Sequence, residues 1–163
     1  MKIETERLII NNLTLEDAKA FSNYRNKEEV AKYQSWDDYP LKKAIKRIGY
    51  CLKNPFNGEL GNYQIGIYLK DNNQLIGDLF IEVSSKTTIT LGYTLDSLYW
   101  SNGYAYEALD ALFNYLKANY AFKICLCHVY EENTRSINLL KKHDFIFIHK
   151  SWFYQDLLYR KKL

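Results

Sequence analysis

The stretch YWSNGYAYEAL (residues 99–109) places one glycine among bulky aromatic side chains, at the point where a helical pattern begins. Apolar residues then recur at intervals of three and four up to about residue 119, which predicts a helix with one buried face. A strand-like run ends at Leu95, so the glycine, Gly103, stands in a strand-to-helix turn. The first N–H groups of a helix lack partners and carry part of the helix dipole, so such a turn can bind phosphate. Glycine would let a phosphate approach the backbone, although a plain helix-entry turn explains it equally well.

The sequence around this turn predicts strands and helices arranged around one sheet. Three apolar runs joined by short polar turns predict an antiparallel meander, and Thr14 with Asp17 three residues later resembles a helix cap. The predicted strands cover residues 7–13, 63–69, 75–83, 88–95, 123–130, 145–149 and 152–160, and the predicted helices cover 14–25, 41–52, 104–119 and 133–143. This order indicates one α/β (α+β) domain over residues 1–163, with a central mixed, mostly antiparallel sheet flanked by helices.

Composition and charge indicate which classes of protein are compatible with the sequence. The 163 residues are 47% hydrophobic and 25% charged, with a net charge of +3, which is typical of a globular domain. Lysine and arginine form no dense run, which argues against a nucleic-acid-binding surface. Three cysteines, an odd number, favour a reducing compartment. Without an apolar signal core or a run of 18 apolar residues, the sequence predicts a cytoplasmic protein with no membrane partner.

The quoted loop resembles the acetyl-CoA pyrophosphate loop of the GNAT superfamily of N-acetyltransferases, Q/R-x-x-G-x-G/A. The matching residues are Trp100, Ser101, Asn102, Gly103, Tyr104 and Ala105, with Trp100 in place of the usual glutamine or arginine. ETERLII, LIGDLFIEV, LGYTLD, GYAYEAL and ENTRSINLLKKHDF follow the order of the branch of ribosomal-protein N-terminal (RimJ/RimL-like) acetyltransferases. The resemblance, over about residues 3–160, implies transfer of an acetyl group from acetyl-CoA to a primary amine. The amine, of a protein N-terminus or a small molecule, would attack the thioester directly, with no metal.

The resemblance also implies roles for residues outside the loop. Asn133 would bond the pantetheine arm of CoA, and Ser136, on the same helix face, would lie near the sulfur and protonate the leaving thiolate. The main-chain N–H of Leu95 would polarise the thioester carbonyl. Asn133 is equally explained as a helix cap, and Lys142 matches a basic position that either meets a CoA phosphate or is simply solvated.

The general base and the acceptor site are less clearly marked. Many relatives carry a glutamate before LGY, where this chain has Thr90. We expect a water-relayed proton transfer with Glu82 as the terminal acceptor if its face of the strand borders the cleft, and Asp96 is the other nearby carboxylate. Each is also explained as a surface carboxylate. Trp36, in the acidic loop YQSWDDYP, is expected either to help bind a cationic amine or to anchor the loop. Asp144 replaces the family's usual glycine, so this turn is expected to differ locally.

The sequence allows more than one interpretation of a possible metal site and of the activity. Cys125, Cys127 and His128 lack a second ligand pair, which favours buried strand residues over a metal site. Because Thr90 replaces the usual carboxylate, a CoA-binding module without activity is an alternative to the enzyme. A nucleic-acid-binding protein has little support. The identity of the acceptor and the oligomeric state, a homodimer included, are not readable from the sequence.

Overall fold

A computed structural model describes residues 1–151 and 156–163, and this part of the chain forms eight strands and five α-helices. The strands are β1 (Lys2–Glu4), β2 (Leu8–Asn12), β3 (Gly61–Leu69), β4 (Leu75–Val83), β5 (Thr88–Leu95), β6 (Ile124–Tyr130), β7 (Ile146–Lys150) and β8 (Asp156–Lys162). The helices are α1 (Ala18–Arg25), α2 (Glu28–Ala31), α3 (Leu41–Lys53), α4 (Tyr104–Asn119) and α5 (Thr134–Lys142). The first four residues of the predicted last strand, 152–155, lie outside the described residues.

The strands form one sheet in the order β1-β2-β3-β4-β5-β6-β8-β7. Every neighbouring pair is antiparallel except β5 and β6, which run parallel. The predicted fold, a mixed and mostly antiparallel sheet flanked by helices, is confirmed, and β3, β4 and β5 form the predicted meander.

Helices cover both faces of the sheet because each presents an apolar stripe to it. On α4 the buried side chains recur at helical spacing, and they pack with one face of β4 and β5. α1 and α3 enclose a second cluster on the opposite side, around Phe21 and Ile48. A fully buried side chain such as Leu112 contributes roughly 1.5–3 kcal/mol to folding by leaving water. Alternation along β4 directs Leu79 and Ile81 toward α4, and Asp78 and Phe80 toward α1 and α3.

The parallel pair β5–β6 separates soon after it forms. Pairing covers Thr88 with Ile124, Ile89 with Cys125 and Thr90 with Leu126, and then stops. Beyond that point β5 remains bonded to β4 up to Leu95, and β6 remains bonded to β8. The two strands therefore diverge in the middle of the sheet, and their facing edges open into a cleft.

Candidate active site

A cavity of about 1280 Å³ opens where β5 and β6 separate. Its walls come from the end of β5, the first turns of α4 and α5, the β1–β2 turn and the segment around α2. Small-molecule sites commonly occupy roughly 300–1,000 Å³, so this cavity has room for a long ligand and a second reactant. The end of β5, the loop before α4 and the start of α5, where the sequence predicted functional residues, are among its walls.

The loop before α4 presents free backbone donors to this cavity. Ser101 and Gly103 both have left-handed backbones, with φ of 65° and 81°. The N–H groups of residues 103–106 have no acceptor among the described residues, because they belong to the first turn of α4. A Cβ on Gly103 would meet only the Nη2 atom of Arg7, at 3.4 Å. Packing therefore does not require glycine here, whereas the positive φ and the approach of a ligand to the backbone do.

Arg7 and Glu107 hold this loop against the β1–β2 turn. The Nε atom of Arg7 donates to Oε2 of Glu107 at 2.7 Å, and the Arg7 main-chain N–H donates to Oε1 at 2.9 Å. Thr5 donates its hydroxyl to the same carboxylate, and Arg7 also donates to the carbonyl of Asn102 at 3.0 Å. Burial raises the pKa of Glu107, but the bonds from Thr5 and Arg7 outweigh burial and leave that pKa below its usual value.

Trp100 connects the end of β5 to α5. Its indole N–H donates to the Leu95 carbonyl at 2.8 Å, and the Arg135 guanidinium lies 4.2 Å from the ring centroid. The N–H of Asp96 bonds across to the Ile76 carbonyl, so by antiparallel alternation the N–H of Leu95 points away from β4 and toward the cleft. Leu95 and Trp100 both line the cavity.

Asn133 and Ser136 form the opposite wall. Asn133 caps α5, since its Oδ1 atom accepts a hydrogen bond from the Ser136 N–H at 3.1 Å. The cap leaves the Nδ2 group of Asn133 without a partner among the described residues, so capping and ligand binding are compatible. The Ser136 hydroxyl lies 2.6 Å from that of Tyr93, which reaches across from β5. All three residues line the cavity.

The carboxylates considered as bases lie elsewhere. Glu82 is exposed and pairs with Thr90, five positions along β4 from the Gly77–Leu95 pair, or roughly 17 Å at strand spacing. It does not line the cavity, so its predicted role as terminal proton acceptor has no support in the geometry. Asp96 pairs with Lys27 and accepts the N–H of Leu98, which makes it a cap.

Trp36 also lies outside the cavity lining. Its ring stacks on the Arg25 guanidinium at 4.3 Å, and its indole N–H donates to the Arg25 carbonyl at 3.1 Å. The structure therefore supports the anchoring alternative for Trp36. Tyr33 and Gln34, from the same loop, line the cavity instead, together with Glu29 on α2. Nothing in the sequence pattern distinguished these residues from their neighbours.

Arg25 is itself buried, and it pairs with the buried carboxylate of Asp78 through Nη2 at 2.7 and 2.8 Å. Tyr24 and Gln64 also bond to Asp78. This group fixes α1 and the start of the following loop on the sheet, beside the cavity rather than in it.

The remaining positions singled out in the sequence are Lys142, Asp144, Cys125, Cys127 and His128. Lys142, the last residue of α5, lines the cavity. Asp144 adopts a φ of 60°, the left-handed conformation that the family's usual glycine would favour, so the turn is kept despite the substitution. Cys125 and Cys127 are buried in the core as predicted, and the His128 ring bonds to Asp156 at 2.8 Å. Across residues 1–151 and 156–163, no group of three or more candidate metal ligands occurs.

Tyr93 is the functional candidate that sequence reasoning missed. Its position two residues before Leu95 on the same strand places both on the same side of β5. That spacing was the available signal, but the contact with Ser136 depends on how far β5 and β6 separate.

Comparison with known proteins points to one family. The profile of an acetyltransferase (GNAT) domain family matches residues 7–146. The uncharacterized N-acetyltransferase p20 of Bacillus licheniformis is 27% identical over 144 residues, 86% of this chain and 80% of that protein. YoaA, an uncharacterized N-acetyltransferase of Bacillus subtilis, is 27% identical over 146 residues, 88% of this chain and 81% of that protein.

Solved structures show the same fold. A GNAT-family acetyltransferase from Bacillus anthracis superposes with a TM-score of 0.86 at 19% identity, covering 99% of this chain and 98% of that one. RimL, a ribosomal L7/L12 alpha-N-protein acetyltransferase in complex with coenzyme A, gives a TM-score of 0.86 at 15% identity, covering 100% and 98%. None of the helices described here has the length and apolar character needed to cross a membrane.

Proposed function

Because the chain belongs to the acetyltransferase (GNAT) family and is an acyltransferase, we propose that it transfers the acetyl group of acetyl-CoA to a primary amine by direct attack on the thioester. One observation carries this proposal. The free N–H groups at the start of α4, the cleft-facing edge of Leu95 and the hydroxyl of Ser136 all border one cavity.

The loop and the two helix starts fit the parts of CoA. The N–H groups of residues 103–106 suit a pyrophosphate, because they lack acceptors and lie at the positive end of the α4 dipole. The Nδ2 group of Asn133 suits an amide carbonyl of the pantetheine arm. Lys142, which lines the cavity from the last turn of α5, suits a further phosphate.

Acetyl-CoA supplies an activated thioester, and the protein's own groups stabilise the charges that develop as it reacts. The main-chain N–H of Leu95 would donate to the carbonyl oxygen as negative charge gathers there, a contribution of about 3 kcal/mol in comparable sites. The Ser136 hydroxyl would donate a hydrogen bond to the sulfur as the carbon–sulfur bond breaks, and the departing thiolate would then take its proton from water. Both groups border the same cavity, so one thioester could meet them together.

The acceptor would enter from the side of α2. Glu29, Tyr33 and Gln34 line that part of the cavity, and carboxylate and aromatic groups favour a cationic amine. The RimL structure is named for acetylating a protein N-terminus. A protein N-terminus and a small amine are therefore the two acceptor classes proposed. We propose that the amine loses its proton to water, since Glu82 and Asp96 lie outside the cavity lining and Glu29, which lines it, is bonded to the Ser97 hydroxyl at 2.7 Å.

A screen of amines tests the proposal. Purified protein is incubated with acetyl-CoA and, separately, small amines and peptides with free N-termini; released CoA is measured as free thiol, and products are identified by mass spectrometry. We expect thiol release that depends on the amine, and an added acetyl group on its nitrogen. Incubation without an amine corrects for hydrolysis. CoA binding without acetylation of any amine would instead favour the inactive CoA-binding module.

A further inference from the structure

Two hydroxyl groups meet across the cleft, 43 residues apart in the sequence. Tyr93 lies on β5, Ser136 lies in the first turn of α5, and their oxygens are 2.6 Å apart. Both side chains line the cavity. The Tyr93 oxygen is also 3.4 Å from the Ser136 carbonyl, a longer and weaker contact. The short bond is therefore the interaction that sets the orientation of the Ser136 hydroxyl.

The direction of this bond follows from the chemistry of the two groups. A phenol is a stronger hydrogen-bond donor than an aliphatic alcohol, whereas the alcohol oxygen is the better acceptor. Burial raises the pKa of Tyr93 well above its ordinary value, the neighbouring Cys127 raises it further, and the bond to Ser136 only partly opposes these effects. Tyr93 therefore remains protonated at any working pH, and its hydroxyl donates a hydrogen bond to the Ser136 oxygen.

The location of Ser136 in a helix makes this bond consequential. A serine in a helix commonly turns its hydroxyl back to the carbonyl three or four residues earlier, which here belongs to Asn133 or Glu132. That conformation would point the hydroxyl hydrogen at the helix and away from the cavity. A donor from β5 holds the Ser136 oxygen toward the cleft, and the serine hydrogen is then free to point into it.

We propose that Tyr93 is a positioning residue for acetyl transfer, which holds the Ser136 hydroxyl so that its hydrogen faces the thioester sulfur. The inference rests on the proposed function. As the amine nitrogen bonds to the carbonyl carbon, the carbon–sulfur bond breaks and its electron pair stays on the sulfur. Ser136 stabilises that sulfur with a hydrogen bond, and both hydroxyls keep their own protons. The ammonium proton passes to water, and the departing thiolate takes a proton from water.

A double-mutant cycle tests the proposal. Tyr93→Phe removes the donor, Ser136→Ala removes the hydroxyl that it positions, and the third variant carries both changes. We expect Tyr93→Phe to lower kcat about 10-fold and Ser136→Ala about 10- to 100-fold, each with little change in KM for acetyl-CoA, because the hydrogen bond strengthens as charge develops on sulfur. The double variant should match Ser136→Ala within about twofold, since Tyr93 acts only through Ser136.

Tyr68→Phe is the matched control. Tyr68 is a buried tyrosine whose hydroxyl donates to Asp17 at 2.7 Å, and it does not line the cavity. This variant should keep the wild-type kcat. Melting curves and CoA binding by calorimetry check that each variant is folded. Tyr93→Leu replaces Tyr93→Phe in the cycle if the latter does not fold.

The outcomes separate the two proposals. Losses that multiply in the double variant, a Tyr93→Phe enzyme with the wild-type rate, or an unaffected Ser136→Ala enzyme would each overturn the role of Tyr93 while leaving acetyl transfer in place. A wild-type protein that releases no CoA with any amine would overturn both.

Discussion

Arg7 and Glu107 are 100 residues apart in the sequence and form a charged pair linked through both the side chain and the main-chain N–H of the arginine. The pair ties the β1–β2 turn to α4 beside the loop that presents the free N–H groups. The Glu107 side chain is 18% exposed and that of Arg7 43%, so the bonds are shielded from water mainly on the side of the glutamate. This shielding gives the pair more influence on stability than a surface ion pair has.

Replacing Glu107 with glutamine should lower stability at neutral pH by about 1–2 kcal/mol, because charged hydrogen bonds are lost. The pKa of Glu107 in the folded protein lies below its usual value of 4.5. The ionised Glu107 therefore stabilises the folded state above pH 4.5, and this stabilisation is lost as the pH falls through the folded-state pKa. Melting temperatures from pH 7 to pH 3 should therefore converge for wild type and Glu107→Gln.

Glu4→Gln serves as the control for that series. Glu4 forms ion pairs with Lys2 and Lys70 in an exposed position, and removing it should change the melting temperature little. A difference in melting temperature between wild type and Glu107→Gln that stays constant down to pH 3 would contradict the proposed link between stability and the ionisation of Glu107.

Gly103→Val should weaken CoA binding roughly tenfold or more, because a branched side chain would occupy the approach to the free N–H groups. The φ of 81° also adds strain, with a cost of about 1–2 kcal/mol. Asn73→Val, at a φ of 56° in the β3–β4 turn, introduces comparable strain away from the cavity. Calorimetry should show weaker CoA binding for Gly103→Val and wild-type CoA binding for Asn73→Val. If both variants fold and lose CoA affinity equally, backbone strain is the cause.

Asn133→Ser separates capping from binding. Serine is about as good a helix cap as asparagine, so the melting temperature should stay within about 2 °C of wild type. The amide donor is lost, and CoA affinity should fall about tenfold if Asn133 holds the pantetheine arm. Asn133→Ala, which removes both functions, should lose stability and affinity together. Wild-type CoA affinity in Asn133→Ser would leave Asn133 as a cap alone.

Asp144→Gly should raise stability by about 0.5–1 kcal/mol, because glycine adopts the left-handed conformation without the cost of a Cβ. The residue follows α5, where the N–H of Phe145 bonds to the Leu140 carbonyl at 3.1 Å and that of Asp144 to the Lys141 carbonyl at 3.1 Å. Asp144→Ala should lower stability instead. Denaturant unfolding measures both, and a glycine variant less stable than wild type would show that the aspartate side chain contributes more than its conformation costs.

The acidic limb of the pH–rate profile should follow the acceptor rather than the enzyme. If water takes the proton, kcat/KM rises with the fraction of free amine, and two acceptors whose pKa values differ by about two units should give limbs separated by about two pH units. Profiles measured with a matched pair of amines provide the test. A limb at the same pH for both acceptors would point to a side-chain base in the enzyme.

The strands of the meander and the helix α4 could be predicted closely because alternation, short turns and a long apolar stripe are local signals. β1 could not, since its three residues become a strand only by pairing with β2. α2, with four residues, is too short for a periodic signal. The loop before α4 was predicted as a cofactor loop from a motif. The positions of Glu82 and Trp36 outside the cavity depend on strand register and on packing against Arg25, which are tertiary features.

The short junction of three residue pairs between β5 and β6, here called the seam, also affects the cooperativity of unfolding. It divides the backbone hydrogen bonds of the sheet into two blocks, β1–β5 and β6–β8, which share a hydrophobic core but few main-chain bonds. A ligand held by both Leu95 and Asn133 would join the blocks into a single unit of unfolding. At a concentration 100 times its Kd it would add about 2.7 kcal/mol, and amide hydrogen exchange would slow on both sides of the seam at once. Stability and catalysis would then depend on the same occupancy of the cleft.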